Sequence, residues 1–224
     1  MLALALTALA LAAPLPDLDQ ATPFGLSVVE RGGRSLLVFG SAVDNVGRGP
    51  LVVEARRVGD RMSTWQLVGR RRIALPVRLR YVHSETHRHW HFPAFERYEL
   101  RRLDGTLAGQ DRKTGFCLRD AYETRPLGLP PAWTTECGRD RPGATTVRQG
   151  ITPGFGDDYV PLKEGQSIDV TGLRGRFVLV HRANPAHVLL ERSYANNAAS
   201  VLVQLRGARA TIVRRCPAGG ACGT

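Results

Sequence analysis

Four of the six histidines in the chain lie within a nine-residue segment that runs from His83 to His91. Three of them, His87, His89 and His91, occupy alternate positions. On a β-strand successive side chains point to opposite faces, so these three imidazoles would share one face. On an α-helix the same spacing would turn the middle ring away from the other two. The spacing therefore predicts a β-strand that presents a cluster of three imidazoles.

Such a cluster suggests a metal site. Three convergent neutral imidazoles suit a divalent ion of borderline softness, such as Cu(II) or Zn(II). The alternatives are a histidine-rich exposed strand and a chance cluster in a polar loop. Against both, apolar or aromatic residues flank and interrupt the run: Val82, Trp90, Phe92 and Phe95. We therefore expect His87, His89 and His91 to bind a metal ion.

The first 13 residues carry no charge and consist almost entirely of leucine and alanine. A transmembrane helix needs about 20 apolar residues, so no membrane span is expected here. The segment resembles the apolar core of a secretory signal, and Pro14 and Pro16 follow it directly, which disfavours a buried first strand. We expect residues 1–13 to be a signal-like segment and residues 14–224 to form one domain. The protein would then be secreted or lie on the exterior of the cell envelope.

The four cysteines form an even set in a chain expected to be exported, which predicts disulfide bonds. Three pairings of four cysteines are possible. Proximity in sequence favours Cys117–Cys137 and Cys216–Cys222, and four free thiols are the alternative. A zinc site built from the cysteines is disfavoured because the sequence contains no Cys-x-x-Cys pair.

The formal net charge of +11 does not indicate a nucleic-acid-binding protein. The basic residues are scattered along the chain and form no run with interleaved aromatic residues. Arginine supplies almost all of this charge, since Lys113 and Lys163 are the only lysines. We expect a solvated basic surface with affinity for anionic polymers of the cell surface.

Alternation with a period of two dominates the sequence, and long helical patterns are absent. The predicted strands are residues 35–39, 51–55, 73–82, 88–100, 165–170, 176–180 and 199–205. Glycine, proline and asparagine separate them at intervals typical of a β-sandwich. Residues 119–148 contain four prolines and little periodicity, so they are predicted to form a long loop. The predicted fold is an all-β, single-domain antiparallel β-sandwich with long loops.

Several short blocks carry a family resemblance and keep their order over roughly residues 80–205. Their sequences are His87-Arg-His-Trp-His91, Phe95-Glu-Arg-Tyr98-Glu-Leu100, Lys113-Thr-Gly-Phe-Cys-Leu-Arg-Asp120, Gln149-Gly-Ile-Thr-Pro-Gly-Phe-Gly-Asp-Asp-Tyr159, Ile168-Asp-Val-Thr171 and Glu191-Arg-Ser-Tyr-Ala-Asn-Asn197. Together these blocks resemble the lysyl oxidase family of copper amine oxidases, although any one of them alone would be weak. The chain departs from animal members in details such as Arg97, where they carry a histidine.

The resemblance implies that His87, His89 and His91 bind Cu(2+). It also implies a cofactor made from the chain itself, lysyl tyrosylquinone, formed when a lysine amine adds to an oxidised tyrosine. The matching positions are Lys113 and Tyr159. Arginine could not replace Lys113 in this role, because a guanidinium stays protonated and cannot act as a nucleophile. The alternatives are that Lys113 is an ordinary surface residue and that Tyr159 only packs on the core.

The implied function is a secreted copper- and quinone-dependent amine oxidase. It would convert primary amines, either peptidyl lysine or small amines, to aldehydes and use O₂ to release H₂O₂ and ammonia. One alternative is a non-catalytic copper-binding β-sandwich module of the cell exterior. A cupin-like metal enzyme is disfavoured because no glutamate and no distant histidine stand at the spacing of that motif. Asp157 and Asp158 precede Tyr159, but carboxylates at such turns commonly bind the backbone, so the sequence assigns no general base.

Overall fold

The computed structural model describes residues 13–84, 87–93, 95–111, 115–162, 165–216 and 222. These residues form seventeen β-strands and no α-helix, which confirms the all-β prediction. No helix among them could cross a membrane. Most of the signal-like segment, residues 1–12, lies outside the described residues, as do both lysines, Lys113 and Lys163.

The strands in chain order are β1 (Leu18–Gln20), β2 (Phe24–Arg31), β3 (Arg34–Asn45), β4 (Leu51–Val58), β5 (Arg61–Val68), β6 (Arg71–Ala74), β7 (Arg80–His83), β8 (Arg88–His91), β9 (Glu96–Arg101), β10 (Leu107–Gln110), β11 (Tyr122–Glu123), β12 (Thr146–Ile151), β13 (Phe155–Tyr159), β14 (Ser167–Asp169), β15 (Gly175–Ala183), β16 (Ala198–Arg206) and β17 (Arg209–Cys216). All pairings between these strands are antiparallel, as predicted.

The long strand β3 organises the largest sheet, in which it pairs with β1, β2, β13 and β14 along its 12 residues. A second sheet has the order β10-β9-β15-β16-β17, a third has the order β12-β4-β5-β6, and β7 and β8 form a hairpin. Within the first sheet, Tyr159 lies opposite Ser41 and Asp157 lies opposite Val43. This register places the side chains of Tyr159 and Asp157 on the same face of β13.

Apolar side chains from several sheets form one buried cluster. Phe39 of β3 and Tyr98 of β9 meet edge to face with their ring centroids 5.0 Å apart, so the first two sheets contact each other there. Phe116, which lies between strands, packs on Tyr98. Burying each large apolar side chain stabilises the fold by about 1.5–3 kcal/mol, so these aromatic residues fix how the sheets pack.

The structure corrects the bounds of three predicted segments. Residues 73–82 and 88–100 are each two strands rather than one, and Pro76 and Pro93 lie in the interruptions. Proline lacks the N–H group that a sheet ladder needs, which accounts for both breaks. The predicted loop at residues 119–148 is mostly irregular, but it contains β11 and the start of β12, because those residues pair with β13 and β4.

Both favoured disulfides are present, and no described cysteine is a free thiol. Cys117 and Cys137 have their Cα atoms 5.7 Å apart, and Cys216 and Cys222 have theirs 5.4 Å apart. The first disulfide ties the long loop to the segment that follows Lys113. The second closes a short loop at the C-terminal end of β17.

Candidate active site and metal centre

The three alternate histidines converge as the strand pattern predicted. His89 and His91 belong to β8, His87 immediately precedes it, and their side chains are at most 8% exposed. Their ligand nitrogens all lie within 4.8 Å of one another, and the Nε2 atoms of His89 and His91 are 2.9 Å apart. Two nitrogens bound to one ion at about 2.0–2.1 Å and at a right angle would be about 2.9 Å apart. The donor set therefore fits a divalent ion that prefers imidazole ligands.

Strand β8 is held on both edges. One edge pairs with β7, and the other receives hydrogen bonds from the long loop. The Trp90 N–H donates to the Cys137 carbonyl at 3.0 Å, and the Asp140 N–H donates to the Arg88 carbonyl at 2.7 Å. The indole Nε1–H of Trp90 also donates to the Arg141 carbonyl at 3.0 Å. These bonds fix the backbone on which the histidines are mounted.

The segment that follows Lys113 runs directly beside the end of β8. Phe92 and Phe116 exchange backbone hydrogen bonds of 2.7 and 3.0 Å. A Cβ atom at Gly115 would lie 2.9 Å from the Cβ of His91, and the φ of Gly115 is +155°, so this close approach requires glycine. Lys113 itself lies outside the described residues, but Gly115, two positions later, packs against a histidine of the cluster.

Tyr159, at the end of β13, is half-buried, and its hydroxyl is held by two acceptors. The hydroxyl oxygen lies 3.0 Å from the Cys117 carbonyl and 3.0 Å from Asp157 Oδ2. The ring meets Phe116 edge to face at a centroid distance of 5.0 Å. Cys117 and Phe116 belong to the same segment as Gly115, which contacts His91. This segment therefore bridges Tyr159 and the histidine cluster.

A pocket of about 200 Å³ contains the three histidines and Tyr159 together. Its remaining lining residues are Cys117, Arg119, Glu136, Arg139, Asp157, Asp158 and Leu162. The predicted metal ligands and the predicted tyrosine thus face one space, although they are far apart in sequence. This arrangement would allow chemistry between a bound metal ion and the phenol ring.

A family model for lysyl oxidase matches residues 25–216, which extend from β2 to the end of β17. The chain belongs to the lysyl oxidase family. A search of curated proteins returned no match to it. The family assignment confirms the resemblance carried by the sequence blocks, and those blocks can now be followed in the structure of this lysyl oxidase family member.

Two of the acidic residues in the sequence blocks are structural. Asp120 accepts hydrogen bonds from the backbone of Ala132, Trp133 and Thr152, and so it orders the long loop. Glu191 accepts hydrogen bonds from the Leu18 N–H and from the side chains of two asparagines, Asn184 and Asn197. Neither acid lines the pocket.

The electrostatics around Tyr159 are dominated by buried carboxyl groups. Asp157 is only 2% exposed, and burial raises its pKa well above the usual range, with Glu96 and Asp158 adding to the effect. The hydrogen bond from Tyr159 and the charge of Arg119 oppose that rise. Burial also raises the pKa of the Tyr159 phenol well above its usual value, and the carboxylate of Asp157 raises it further.

A buried polar network that includes Glu96 acts on both Asp157 and Tyr159, and sequence reasoning missed it. The Ser41 hydroxyl donates to Glu96 Oε1 at 2.6 Å, and the Tyr98 hydroxyl donates to Glu96 Oε2 at 2.8 Å. His181 Nδ1 lies 3.1 Å from the Ser41 hydroxyl, and burial lowers the pKa of His181 to about 3. These residues come from β3, β9 and β15, so no local spacing indicates that they meet.

Three charged residues of the pocket were also missed. Arg119 follows Cys117 by two positions, and Glu136 and Arg139 flank Cys137 and form an ion pair with each other. The available signal was their closeness to the two bridged cysteines. It gave no indication that the long loop folds over the histidine cluster.

Proposed function

We propose that this lysyl oxidase family member is a copper- and quinone-dependent amine oxidase, secreted or held at the exterior of the cell envelope. The reaction would convert a primary amine, O₂ and water into an aldehyde, ammonia and H₂O₂. The observation that supports it most directly is the shared pocket of three convergent histidines and Tyr159. Two disulfides are consistent with an oxidising compartment.

In this proposal His87, His89 and His91 hold copper through their imidazole nitrogens. Imidazole is a suitable ligand for Cu(II), and the clustered nitrogens fit a single ion. Bound copper would supply the oxidation by O₂ that converts the Tyr159 phenol into a quinone. The protein contributes the fixed positions of the three rings, which the edge bonds of β8 maintain.

Lys113 is proposed to provide the amine that joins Tyr159 in lysyl tyrosylquinone. Support comes from the segment that follows it, because Gly115 packs on His91 and the Cys117 carbonyl accepts the Tyr159 hydroxyl. Lys113 precedes Cys117 by four residues, a length of chain that spans at most about 14 Å. Its neutral amine can act as a nucleophile, which an arginine could not do.

The quinone would act as the acceptor of two electrons from the carbon next to the amine nitrogen. The pocket supplies the surroundings for a cationic substrate. Three carboxyl groups, Glu136, Asp157 and Asp158, line it against two guanidinium groups, Arg119 and Arg139. The pocket is therefore less basic than the chain as a whole, which has a net charge of +11, and this favours the approach of an ammonium ion, whether from a small amine or a protein lysine.

Lys113→Arg tests this function against the copper-binding module. The variant should bind copper as the wild type does, yet release no H₂O₂ from a primary amine, because a guanidinium with a pKa above ~12 has almost no neutral form. Lys163→Arg is the matched control, since it changes the other lysine of the chain and should retain wild-type turnover. Wild-type H₂O₂ release by Lys113→Arg would favour another function.

A further inference from the structure

The carboxylate of Asp157 faces the hydroxyl group of Tyr159 across a distance of 3.0 Å. The two residues are two positions apart on β13, so their side chains share one face of the strand. Nothing in the sequence resemblance assigns Asp157 a role. We propose that Asp157 accepts the phenolic proton of Tyr159 when that residue is converted into the cofactor. The inference rests on the proposed function.

The proposed step is a proton transfer and changes no oxidation state. The O–H bond of Tyr159 breaks, the proton moves to Asp157 Oδ2, and the electron pair stays on the phenol oxygen. The products are a phenolate and a neutral carboxyl group. A phenolate loses electrons more readily than a phenol does, so the transfer prepares the ring for oxidation.

The surroundings of Asp157 suit this role. A carboxylate is a better base when its conjugate acid is weaker, and burial together with the neighbouring Glu96 raises the pKa of Asp157. Arg119 opposes this effect and keeps some positive charge near the pair. The transfer moves one negative charge from the carboxylate to the phenol oxygen, so it adds no further charge to the buried site.

Other groups near the phenol are less suitable. The Cys117 carbonyl accepts the same hydroxyl at 3.0 Å, but an amide oxygen does not hold a proton near neutral pH. Both carboxylate oxygens of Glu96 already accept hydrogen bonds, from Ser41 and Tyr98. Asp158 also lines the pocket, but it is the next residue along β13, and alternation directs its side chain away from the strand face that Tyr159 and Asp157 share.

Asp157→Asn is the sharpest variant, because the amide oxygen still accepts a hydrogen bond but cannot take the proton. We expect unchanged copper stoichiometry and formation of the Lys113–Tyr159 crosslink at least about 100-fold more slowly, as measured by peptide mass after copper and O₂ are added. Asp60→Asn, which changes a carboxylate whose side chain is 93% exposed, should crosslink at the wild-type rate.

If Asp157 acted only through its negative charge, Asp157→Asn should form the crosslink faster rather than more slowly. Removing its negative charge lowers the pKa of Tyr159, which would make the phenol easier to ionise and the crosslink faster to form. The fall in pKa can be measured without metal, from the tyrosinate absorbance of Asp157→Asn compared with Asp157→Asn/Tyr159→Phe. A lowered Tyr159 pKa combined with slower crosslinking supports proton acceptance, and crosslinking at the wild-type rate or faster overturns it.

Chemical rescue gives a second test if Asp157→Asn fails to fold. Formate added to Asp157→Ala should accelerate crosslinking, because the pocket that Asp157 lines would admit the small carboxylate. Equal rates with and without formate would overturn the proposal. If the wild type forms no crosslink, the proposed function itself fails, whereas a wild-type crosslink that is indifferent to Asp157 refutes only the present inference.

Discussion

The imidazole nitrogens of His87, His89 and His91 are the residue-scale feature on which the proposed metal site depends. Removing one of the three ligands, in His89→Ala, should weaken copper binding by more than about 100-fold, since losing a residue that merely orients a ligand already costs about 10–100-fold. Copper titration with metal analysis of the dialysed protein would measure this.

His187→Ala is the matched control for that experiment. His187 is exposed and stacks on Tyr194 at a centroid distance of 4.3 Å, and it does not line the pocket. It should retain full copper binding. One equivalent of tightly held copper in His89→Ala would contradict the three-histidine site.

Residue chemistry explains which parts of the site were predictable. The alternate spacing of three histidines is local, and a strand converts it directly into a shared face. Tyr159 was indicated by a block of sequence. Glu96 stands in another block, but nothing indicated that it meets His181, because the two are joined through Ser41, which is 55 and 140 residues away from them in the chain. Only the packing of three strands brings those groups together.

At the scale of elements, the Cys117–Cys137 disulfide connects the histidine strand to the tyrosine strand. The Cys137 carbonyl accepts the Trp90 N–H within β8, and the Cys117 carbonyl accepts the Tyr159 hydroxyl. Cys117→Ala/Cys137→Ala should lower the free energy of unfolding by about 3 kcal/mol, because it releases a loop with a sequence separation of 20. It should also weaken copper binding and slow crosslinking, as urea unfolding, copper titration and peptide mass would show.

The other disulfide supplies the control. Cys216→Ala/Cys222→Ala opens a loop with a sequence separation of only 6, so it should cost about 2 kcal/mol. Neither cysteine lines the pocket, and copper affinity and crosslinking should therefore stay at the wild-type level. If both double variants affect copper equally, the bridging role of Cys117–Cys137 is wrong.

Strands were predictable where alternation and turn residues coincide, as in β3, β4 and β16. The sequence was less informative where tertiary pairing decides the structure. Strand β13 contains Gly156, Asp157 and Asp158, which are poor strand formers, yet it forms because β3 and β11 pair with its two edges. The proposed proton transfer from Tyr159 to Asp157 depends on this strand. The alignment of the two side chains therefore became visible only in the folded sheet.

At the scale of the whole molecule, the buried His181 makes stability depend on pH. Its pKa is lowered to about 3, so the folded protein keeps the ring neutral while the unfolded chain binds a proton below about 6.5. The contribution of the neutral His181 ring to the free energy of unfolding is therefore fully present above pH 6.5. It is lost as the pH falls toward 3, by roughly 1.4 kcal/mol per pH unit. In metal-free protein, urea unfolding between pH 3 and 7 should show a shallower dependence for His181→Asn, and an unchanged slope would contradict this account.

The proposed function requires one chemical product, a covalent bond between Lys113 and Tyr159. The most direct test is peptide mass spectrometry of the protein after copper and O₂ are supplied. The account predicts a crosslinked peptide that contains both residues, absent from the metal-free protein and from Tyr159→Phe. A copper-loaded wild type in which Lys113 and Tyr159 are recovered only in separate, unmodified peptides would contradict it.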